Sequence, residues 1–170
     1  CSSPWRPSVD RVTYDAAIER IRELIAAGHT YQVNHTIRLR AVIHGDERGF
    51  YRDLCFAQRG GYAAFLDLGR YRVLSASPEL FFERAQGRVV LRPMKGTRAR
   101  GRFGAEDRAR AARLAASEKD RAENLMIVDM IRNDLGRVAR PGTVAVERAF
   151  EVERYPTVWQ MTSTVTARSR

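Results

Sequence analysis

Cysteine and lysine are both scarce in this sequence, with two of each among 170 residues. Cys1 and Cys55 form neither a disulfide framework nor the ligand spacing of a metal site. This usage is typical of a reducing compartment, so we expect a cytoplasmic protein. No apolar run is long enough to cross a bilayer and no charged-then-apolar leader opens the chain, so we expect neither membrane attachment nor export.

Phosphate-binding loops and metal-binding histidine pairs are also missing. Gly60-Gly61 is better interpreted as a turn, and His29, His35 and His44 lack the spacing of a metal site. The apolar content of 44% and the charged content of 29% are those of an ordinary globular protein. A chain of 170 residues is long enough for one domain with a core.

The net charge of +10 raises the question of nucleic-acid binding. Lys95 and Lys119 are the only lysines, and the arginines are spread singly from Arg6 to Arg170, usually near Asp or Glu. Proteins that bind phosphate backbones concentrate their charge on one face or in one block. We therefore expect no nucleic-acid partner, whereas a small anionic substrate remains compatible with this charge.

The order of predicted elements indicates the fold class. Residues 1–9 are rich in Ser and Pro and are expected to be the end of a linker, followed by one domain over residues 10–170. Apolar residues at helical spacing predict a helix from Asp10 to Ala27, ended by Gly28. The other predicted elements are a strand over 31–43, a helix over 50–56, hairpins over 62–74 and 80–91, a loop over 98–104, a helical region over 105–131 broken near residue 116, a turn at 141–142, and strands over 143–167. Strands and helices come in separate runs, which predicts an α+β fold with largely antiparallel sheet.

The segment Arg92–Arg98 contains one of the two lysines. A strand is predicted to end at Pro93, and Gly96 lets backbone amides approach a ligand closely. A lysine at a strand end with apolar neighbours can lose its proton and act as a nucleophile. The alternative is a surface lysine in a turn, but the use of lysine in a chain that otherwise uses arginine favours a function for Lys95.

Two further segments carry acidic candidates. Asp120 and Glu123 share one face of a predicted helix, and two carboxylates suit a hard cation such as Mg²⁺. The alternative is a solvated acidic edge paired with Lys119 and Arg121. Glu79 is flanked by Pro, Leu and Phe, and apolar surroundings favour the neutral carboxyl that a general acid needs. An edge-strand glutamate facing water is an equally good interpretation of Glu79.

Five ordered blocks of the chain, from residue 14 onward, resemble the chorismate-binding family of anthranilate, aminodeoxychorismate, isochorismate and salicylate synthases. The blocks are residues 27–34, 75–82, 93–101, 118–138 and 155–165. The resemblance implies an α+β fold with two large sheets packed together and helices outside. It also implies that residues 10–170 form part of the family domain, without the preceding region and the later part, so that this segment alone is expected to be inactive.

The resemblance implies a particular reaction. Isochorismate and salicylate synthases carry a lysine where this chain has Gln32, and anthranilate synthases usually carry alanine where it has Lys95. Gln32 with Lys95 is the aminodeoxychorismate synthase pattern, in which ammonia from a glutamine amidotransferase is added to chorismate for folate and p-aminobenzoate synthesis. Lys95 would attack C2 of the ring as the C4 hydroxyl leaves, and ammonia would then displace the lysine by adding at C4.

The resemblance also implies roles for the remaining candidates. Glu79 matches the general acid/base, Gly96 and Thr97 match the segment that contacts substrate, and Gln160 replaces a histidine found beside the substrate ring in many relatives. Glu123 matches one Mg²⁺ ligand, with Asp120 close by. The alternatives are anthranilate synthase component I and, from another class, a non-catalytic chorismate-binding module.

Overall fold

A computed structural model describes residues 3–170, which form two compact units, residues 3–47 and residues 48–170. Cys1, considered above with Cys55, lies outside the described residues. Within residues 3–170, no helix has both the length and the apolar character that a membrane span requires.

The first unit contains one long helix and a short strand pair. Helix α1 spans Arg11–Ala26 and begins where the Asp10 carboxylate accepts a hydrogen bond of 2.7 Å from the Thr13 N–H. It ends at Gly28, whose φ of 75° is the left-handed conformation expected of a helix stop. Strands β1, Arg6–Pro7, and β2, Leu39–Arg40, pair antiparallel, so part of the expected linker is hydrogen-bonded. The domain boundary at residue 10 stays a prediction.

The predicted strand over residues 31–43 is wrong except at β2. Alternating apolar residues suggested a half-buried strand, but a strand forms only where a neighbouring chain completes its hydrogen-bond ladder. Within the described residues, only the Leu39–Arg40 stretch of this segment lies in a strand pair. Its apolar side chains, such as Tyr31 and Val42, are largely exposed.

The second unit holds the remaining elements. Its helices are α2, Glu47–Gln58, which begins at the boundary, α3, Gly104–Ala115, and α4, Glu118–Val138. Its strands are β3, Tyr62–Asp67; β4, Arg72–Ser77; β5, Leu80–Ala85; β6, Arg88–Arg92; β7, Met94–Ala99; β8, Ala145–Arg154; and β9, Val158–Arg168. The two predicted hairpins and the break between α3 and α4 are confirmed. The predicted loop over 98–104 is wrong at its start, because β7 continues to Ala99.

Strand β9 is the centre of the larger sheet. It pairs with β7 along its first half and with β6 along its second half, while β8 pairs with nearly its whole length. Strand β5 adds to β6, and β3 and β4 form a separate two-stranded sheet. All pairs are antiparallel, which confirms the predicted α+β class with antiparallel sheet.

Helices α3 and α4 pack on this sheet and bury its central strand. Residues 161–167 of β9 are all buried. The apolar core combines Val128, Leu135 and Ala139 with Val165 and Ala167, and Leu114 is completely buried at the end of α3. The start of α4 is therefore fixed close to β7 and β9, where most of the candidate site residues lie.

Candidate active site

Lys95 lies on a β-bulge inside β7, so the alternative interpretation of a surface lysine in a turn is wrong. Met94 pairs with Thr162 and Thr97 pairs with Gln160, so Lys95 and Gly96 together oppose a single residue of β9. A bulge bends the strand locally and redirects the side chains at that point. The lysine is half-buried.

Gly96 is required at the bulge for two independent reasons. Its φ is 89°, in the region that favours glycine. A Cβ at this position would lie 3.0 Å from the Cβ of Asp120 and 3.2 Å from Cδ1 of Leu114. The bulge is therefore in direct contact with the junction of α3 and α4, and no larger residue fits without movement.

Glu79 is bound to the backbone beside the lysine. The Met94 N–H donates a hydrogen bond of 3.1 Å to Glu79 Oε1, which ties the carboxylate to the residue that precedes Lys95. The Glu79 N–H donates to Ser77 Oγ at 3.1 Å, forming a tight turn between β4 and β5. Glu79 lines an apolar groove of about 380 Å³ with Pro93 and Met130, but it is itself exposed. The expectation that its apolar neighbours shield Glu79 from water is therefore wrong in this structure, in which Phe81 is also exposed.

Thr97 and Gln160 face each other across β7 and β9. The Thr97 hydroxyl donates a hydrogen bond of 2.9 Å to Gln160 Oε1. Two residues predicted from separate sequence blocks are thus neighbours, immediately after the bulge.

The two acidic candidates occupy the first turns of α4. Asp120 is 6% exposed, its N–H donates to the N-cap Ser117, and its Oδ2 lies 2.9 Å from Nη2 of Arg98. Glu123 follows one turn later and is half-buried, with the Lys119 ammonium 3.8 Å from its Oε1. Because the Lys119 side chain is 84% exposed, this ion pair contributes little to fixing the position of Glu123.

The chemistry of these donors fits a magnesium ion in part. Two carboxylates one helical turn apart are a suitable start for Mg²⁺, which takes few protein carboxylates and completes its shell with water and substrate oxygens. No group of three or more His, Cys, Asp or Glu side chains suited to a metal occurs within residues 3–170. Arg98 already occupies one oxygen of Asp120, so Glu123 is the more available ligand.

Gln32 lies in the first unit, where its side chain is half-buried and its backbone carbonyl accepts a hydrogen bond of 3.2 Å from the Thr30 hydroxyl. Its part in the site stays a prediction. The other candidates lie in the second unit.

A buried chain of polar groups, which the sequence patterns did not indicate, attaches α4 to the sheet. Asn124 is completely buried; its amide donates to the Met161 carbonyl at 3.2 Å, and its Oδ1 accepts a hydrogen bond from the Ser163 hydroxyl. Ser163 Oγ in turn accepts a hydrogen bond of 3.1 Å from the N–H of Phe150, whose φ is 59°. The available signal was an amide on the buried face of a helix, which requires partners.

A second missed cluster lies where β7 leads into α3. Arg100 donates two hydrogen bonds to Asp107, and the Trp159 indole and the Gly101 N–H donate to the same carboxylate at 2.9 and 2.8 Å. The Arg100 guanidinium also stacks 4.9 Å from the Trp159 ring centre. The pKa of Asp107 lies well below its usual range, chiefly because of the hydrogen bonds from Arg100. Desolvation of the carboxylate acts in the opposite direction. Since an added Cβ at Gly101 would lie 2.3 Å from the Asp107 backbone nitrogen, this contact also depends on glycine.

A separate open cleft of about 1030 Å³ is lined by residues that include Tyr62, Arg92, Glu153 and Tyr155. Arg92 and Tyr155 both contact the Glu153 carboxylate. Burial, followed by the negative charge of Glu153, raises the pKa of the Tyr155 phenol. No predicted site residue lines this cleft.

Lys95, Glu79, Thr97, Gln160 and the start of α4 thus form one region around the β7 bulge. The sequence model that describes chorismate binding enzymes matches residues 2–170. The chain belongs to this family. Family membership accounts for the coincidence of five separate sequence blocks, four of which contribute residues to the region just described.

Curated relatives within the family include aminodeoxychorismate synthases. Aminodeoxychorismate synthase component 1 of Klebsiella aerogenes is 45% identical over 98% of this chain and 37% of that protein. Aminodeoxychorismate synthase of Streptomyces griseus is 48% identical over 95% of this chain and 22% of that protein. The chain therefore spans little more than a third, or less, of the curated relatives it matches.

A similar solved structure is that of an anthranilate synthase component. Anthranilate synthase component I from Streptococcus pneumoniae superposes with a TM-score of 0.88 at 32% identity, covering 98% of this chain and 36% of that protein. The observed architecture is thus part of the family domain, as the sequence resemblance implied.

Proposed function

We propose that this chain is the part of an aminodeoxychorismate synthase aminase component that carries the nucleophile and the general acid. The whole enzyme would convert chorismate and ammonia to 4-amino-4-deoxychorismate, a precursor of p-aminobenzoate and folate. One observation carries the proposal: Lys95 stands on the β7 bulge directly after Met94, whose N–H is bound by Glu79. The proposed acid therefore contacts the residue that directly precedes the proposed nucleophile. The names of the relatives that are 45% and 48% identical support the same reaction.

Lys95 performs the covalent step. Its neutral amine forms a bond to C2 of the ring, both ring double bonds shift, and the bond between C4 and its hydroxyl oxygen breaks. Ammonia then forms a bond at C4, the double bonds shift back, and the bond to Lys95 breaks. Covalent catalysis of this kind divides one difficult displacement into two easier ones.

Glu79 moves the proton that the departing hydroxyl needs. The carboxylic acid gives its proton to the C4 oxygen, which leaves as water, and the resulting carboxylate can take a proton from the incoming ammonia. The Met94 N–H holds Oε1, so the second oxygen remains the one that can face the substrate.

Thr97 and Gln160 are proposed to contact the substrate, and substrate binding by Gln32 stays what the family resemblance implies. The hydrogen bond from Thr97 to Gln160 fixes both side chains after the bulge, and the glycine at position 96 leaves the adjacent backbone accessible. Mg²⁺, held by Glu123 with Asp120 beside it, would neutralise the carboxylate of the substrate ring.

The enzyme is proposed to work with a glutamine amidotransferase, as a subunit or a fused domain, that supplies ammonia in the cytoplasm. The name "component 1" of the K. aerogenes relative supports the existence of a second component. The reaction itself calls for a source of ammonia, because the substrate contains no nitrogen.

Product analysis of the full-length protein tests the proposal. The purified protein is incubated with chorismate, ammonium and Mg²⁺, and the products are separated with and without the lyase that releases p-aminobenzoate from aminodeoxychorismate. Formation of p-aminobenzoate only when the lyase is present supports the proposal. Anthranilate as the product would assign the second candidate, which the fold match to anthranilate synthase favours. Binding of chorismate without turnover would assign a non-catalytic module.

A further inference from the structure

The first turn of α4 contacts β7 at two points on either side of Thr97. On one side, the Asp120 side chain lies so close to the Gly96 backbone that an added Cβ would be only 3.0 Å from the Asp120 Cβ. On the other side, Nη2 of Arg98 lies 2.9 Å from Asp120 Oδ2. Asp120 therefore contacts the strand at Gly96 and Arg98, immediately after the lysine.

We propose that Asp120 and Arg98 are positioning residues for Lys95: together they hold the β7 bulge in the shape that directs the lysine amine towards the substrate. This inference rests on the proposed role of Lys95 as nucleophile. Neither Asp120 nor Arg98 needs to touch the substrate, because both act through the backbone of residues 95–97.

The bulge needs an external support because its own hydrogen bonds do not define it. Two residues of β7 oppose one of β9, so the ladder is interrupted where Lys95 stands. Gly96 adds freedom, since glycine can leave its φ of 89° without a steric cost. A contact from outside the sheet is therefore what restricts the backbone to one conformation.

The difference in burial between the two side chains indicates that Asp120 is the more rigidly held partner. The Asp120 side chain is 9% exposed and the Arg98 side chain is 47% exposed. Asp120 is held by its place in the first turn of α4, which begins at the N-cap Ser117 and is tied to β9 through the buried Asn124. Arg98 then bonds to a carboxylate that is already in place, so the strand adopts its position from the helix.

The effect on the reaction follows from geometry. A displacement of reacting groups by about 1 Å can reduce rate by about a hundredfold. Loss of the pair should therefore slow formation of the bond to Lys95 more than it weakens chorismate binding, because the hydrogen bond between Thr97 and Gln160 remains in place. A pair that only stabilised the fold would change the melting temperature without changing the rate per folded molecule.

The test uses the full-length protein with chorismate and no ammonia, and follows the covalent adduct on the Lys95 peptide by mass spectrometry in single turnovers. Arg98→Gln and Asp120→Asn should each slow adduct formation by about ten- to a hundredfold at saturating chorismate. The double variant should be no slower than the slower single variant, because the two residues act as one unit. Arg98→Lys, which keeps a cation for Asp120, should recover part of the rate.

Arg132→Gln is the matched control. Arg132 makes an Arg–Asp pair of 3.0 Å with Asp129 on the exposed side of the same helix, so its loss should leave the adduct rate unchanged. Melting temperatures of all variants identify any loss of folded protein.

Each other outcome overturns the inference in a distinguishable way. A wild-type rate in Arg98→Gln, with the wild-type adduct present, removes the positioning role and leaves the proposed function intact. Recovery of Asp120→Asn by raised Mg²⁺ alone would assign Asp120 to metal binding instead. The absence of any adduct in the wild type, with full activity in Lys95→Ala, would remove both the nucleophile and its positioning residues.

Discussion

The Thr97 hydroxyl donates a hydrogen bond of 2.9 Å to the side-chain oxygen of Gln160 on the neighbouring strand. The donor follows the bulge of β7, and the acceptor stands one residue before the completely buried Met161 of β9. The Gln160 oxygen already accepts the bond from Thr97, so the groups that the Gln160 side chain can offer to a ligand are its two N–H donors. The pair thus defines a polar edge next to Lys95.

Removing this pair should weaken substrate binding more than it slows chemistry. Thr97→Val and Gln160→Ala should each raise the KM for chorismate by about two- to tenfold, the effect of losing one ordinary hydrogen bond, with a smaller change in kcat. Steady-state kinetics of the full-length protein measure both constants. An equal fall in kcat and kcat/KM would instead place the pair in contact with the transition state.

Lys95→Ala should abolish most amination activity at ordinary ammonia concentrations, because the covalent route is lost. Mass spectrometry of the wild type after incubation with chorismate should find an adduct on the Lys95 peptide. Lys119→Ala is the matched control, since Lys119 is the only other lysine and is exposed on α4. An adduct on Lys119 alone would contradict the assignment.

Glu79→Gln should lower kcat by about two to four powers of ten, the range of general acid–base residues. Affinities for chorismate and Mg²⁺, measured by titration, should change little. The control is Glu83→Gln, because Glu83 is an exposed glutamate on strand β5, which begins directly after Glu79, and this variant should keep the wild-type rate. Loss of Mg²⁺ affinity with a normal rate at saturating metal would reassign Glu79 to the metal site.

Gly96→Ala should destabilise the protein by about 2–4 kcal/mol, since the left-handed backbone and the crowded space beside Asp120 both oppose a methyl group. Gly136→Ala provides the comparison within α4, where an added Cβ meets nothing within 4 Å. That substitution should stabilise the helix by about 0.5–1 kcal/mol. Urea unfolding of both variants gives the two free energies, and equal values would show that the bulge tolerates a side chain.

Stability should fall in acid, with Asp107 as one contributor. Its folded-state pKa lies below the unfolded value, so its contribution is complete above the unfolded pKa and is lost as the pH falls through the folded pKa. The pKa values of Glu106 and Glu147 are lowered in the same direction, chiefly by hydrogen bonds from Arg102 and Arg88.

The measurement is the free energy of unfolding in urea from neutral pH to about pH 2. Asp107→Asn should be less stable than the wild type at neutral pH, and the difference should shrink as the pH falls below about 4. A difference that stays constant over this range would mean that the charge of Asp107 does not contribute.

Local patterns predicted most of the helices and hairpins correctly, but the strand that they predicted over residues 31–43 is wrong except at Leu39–Arg40. The hairpin turn at Gly87 could be predicted locally, because its backbone has a φ of 75°, a conformation that favours glycine. Alternation of apolar residues carries no information about whether a partner strand exists, and only Leu39–Arg40 of that segment joins one of the described strand pairs.

The candidate site was predictable in its residues but not in its geometry. Motifs located Lys95 and Thr97, yet the bulge between Met94 and Thr97 exists only in the register with β9, which lies more than sixty residues later. The bond between Arg98 and Asp120 is likewise non-local, and no periodicity within either segment indicates it.

The chain of hydrogen bonds from Phe150 through Ser163 to Asn124 also bears on how the protein folds. Moving β9 by one residue would turn Ser163 to the opposite face of the sheet. The buried Asn124 amide would then lose a partner, at a cost of about 1–3 kcal/mol. Docking of α4 is therefore less favourable on a misaligned sheet, so this single asparagine favours the register of β9 that aligns Gln160 with Thr97.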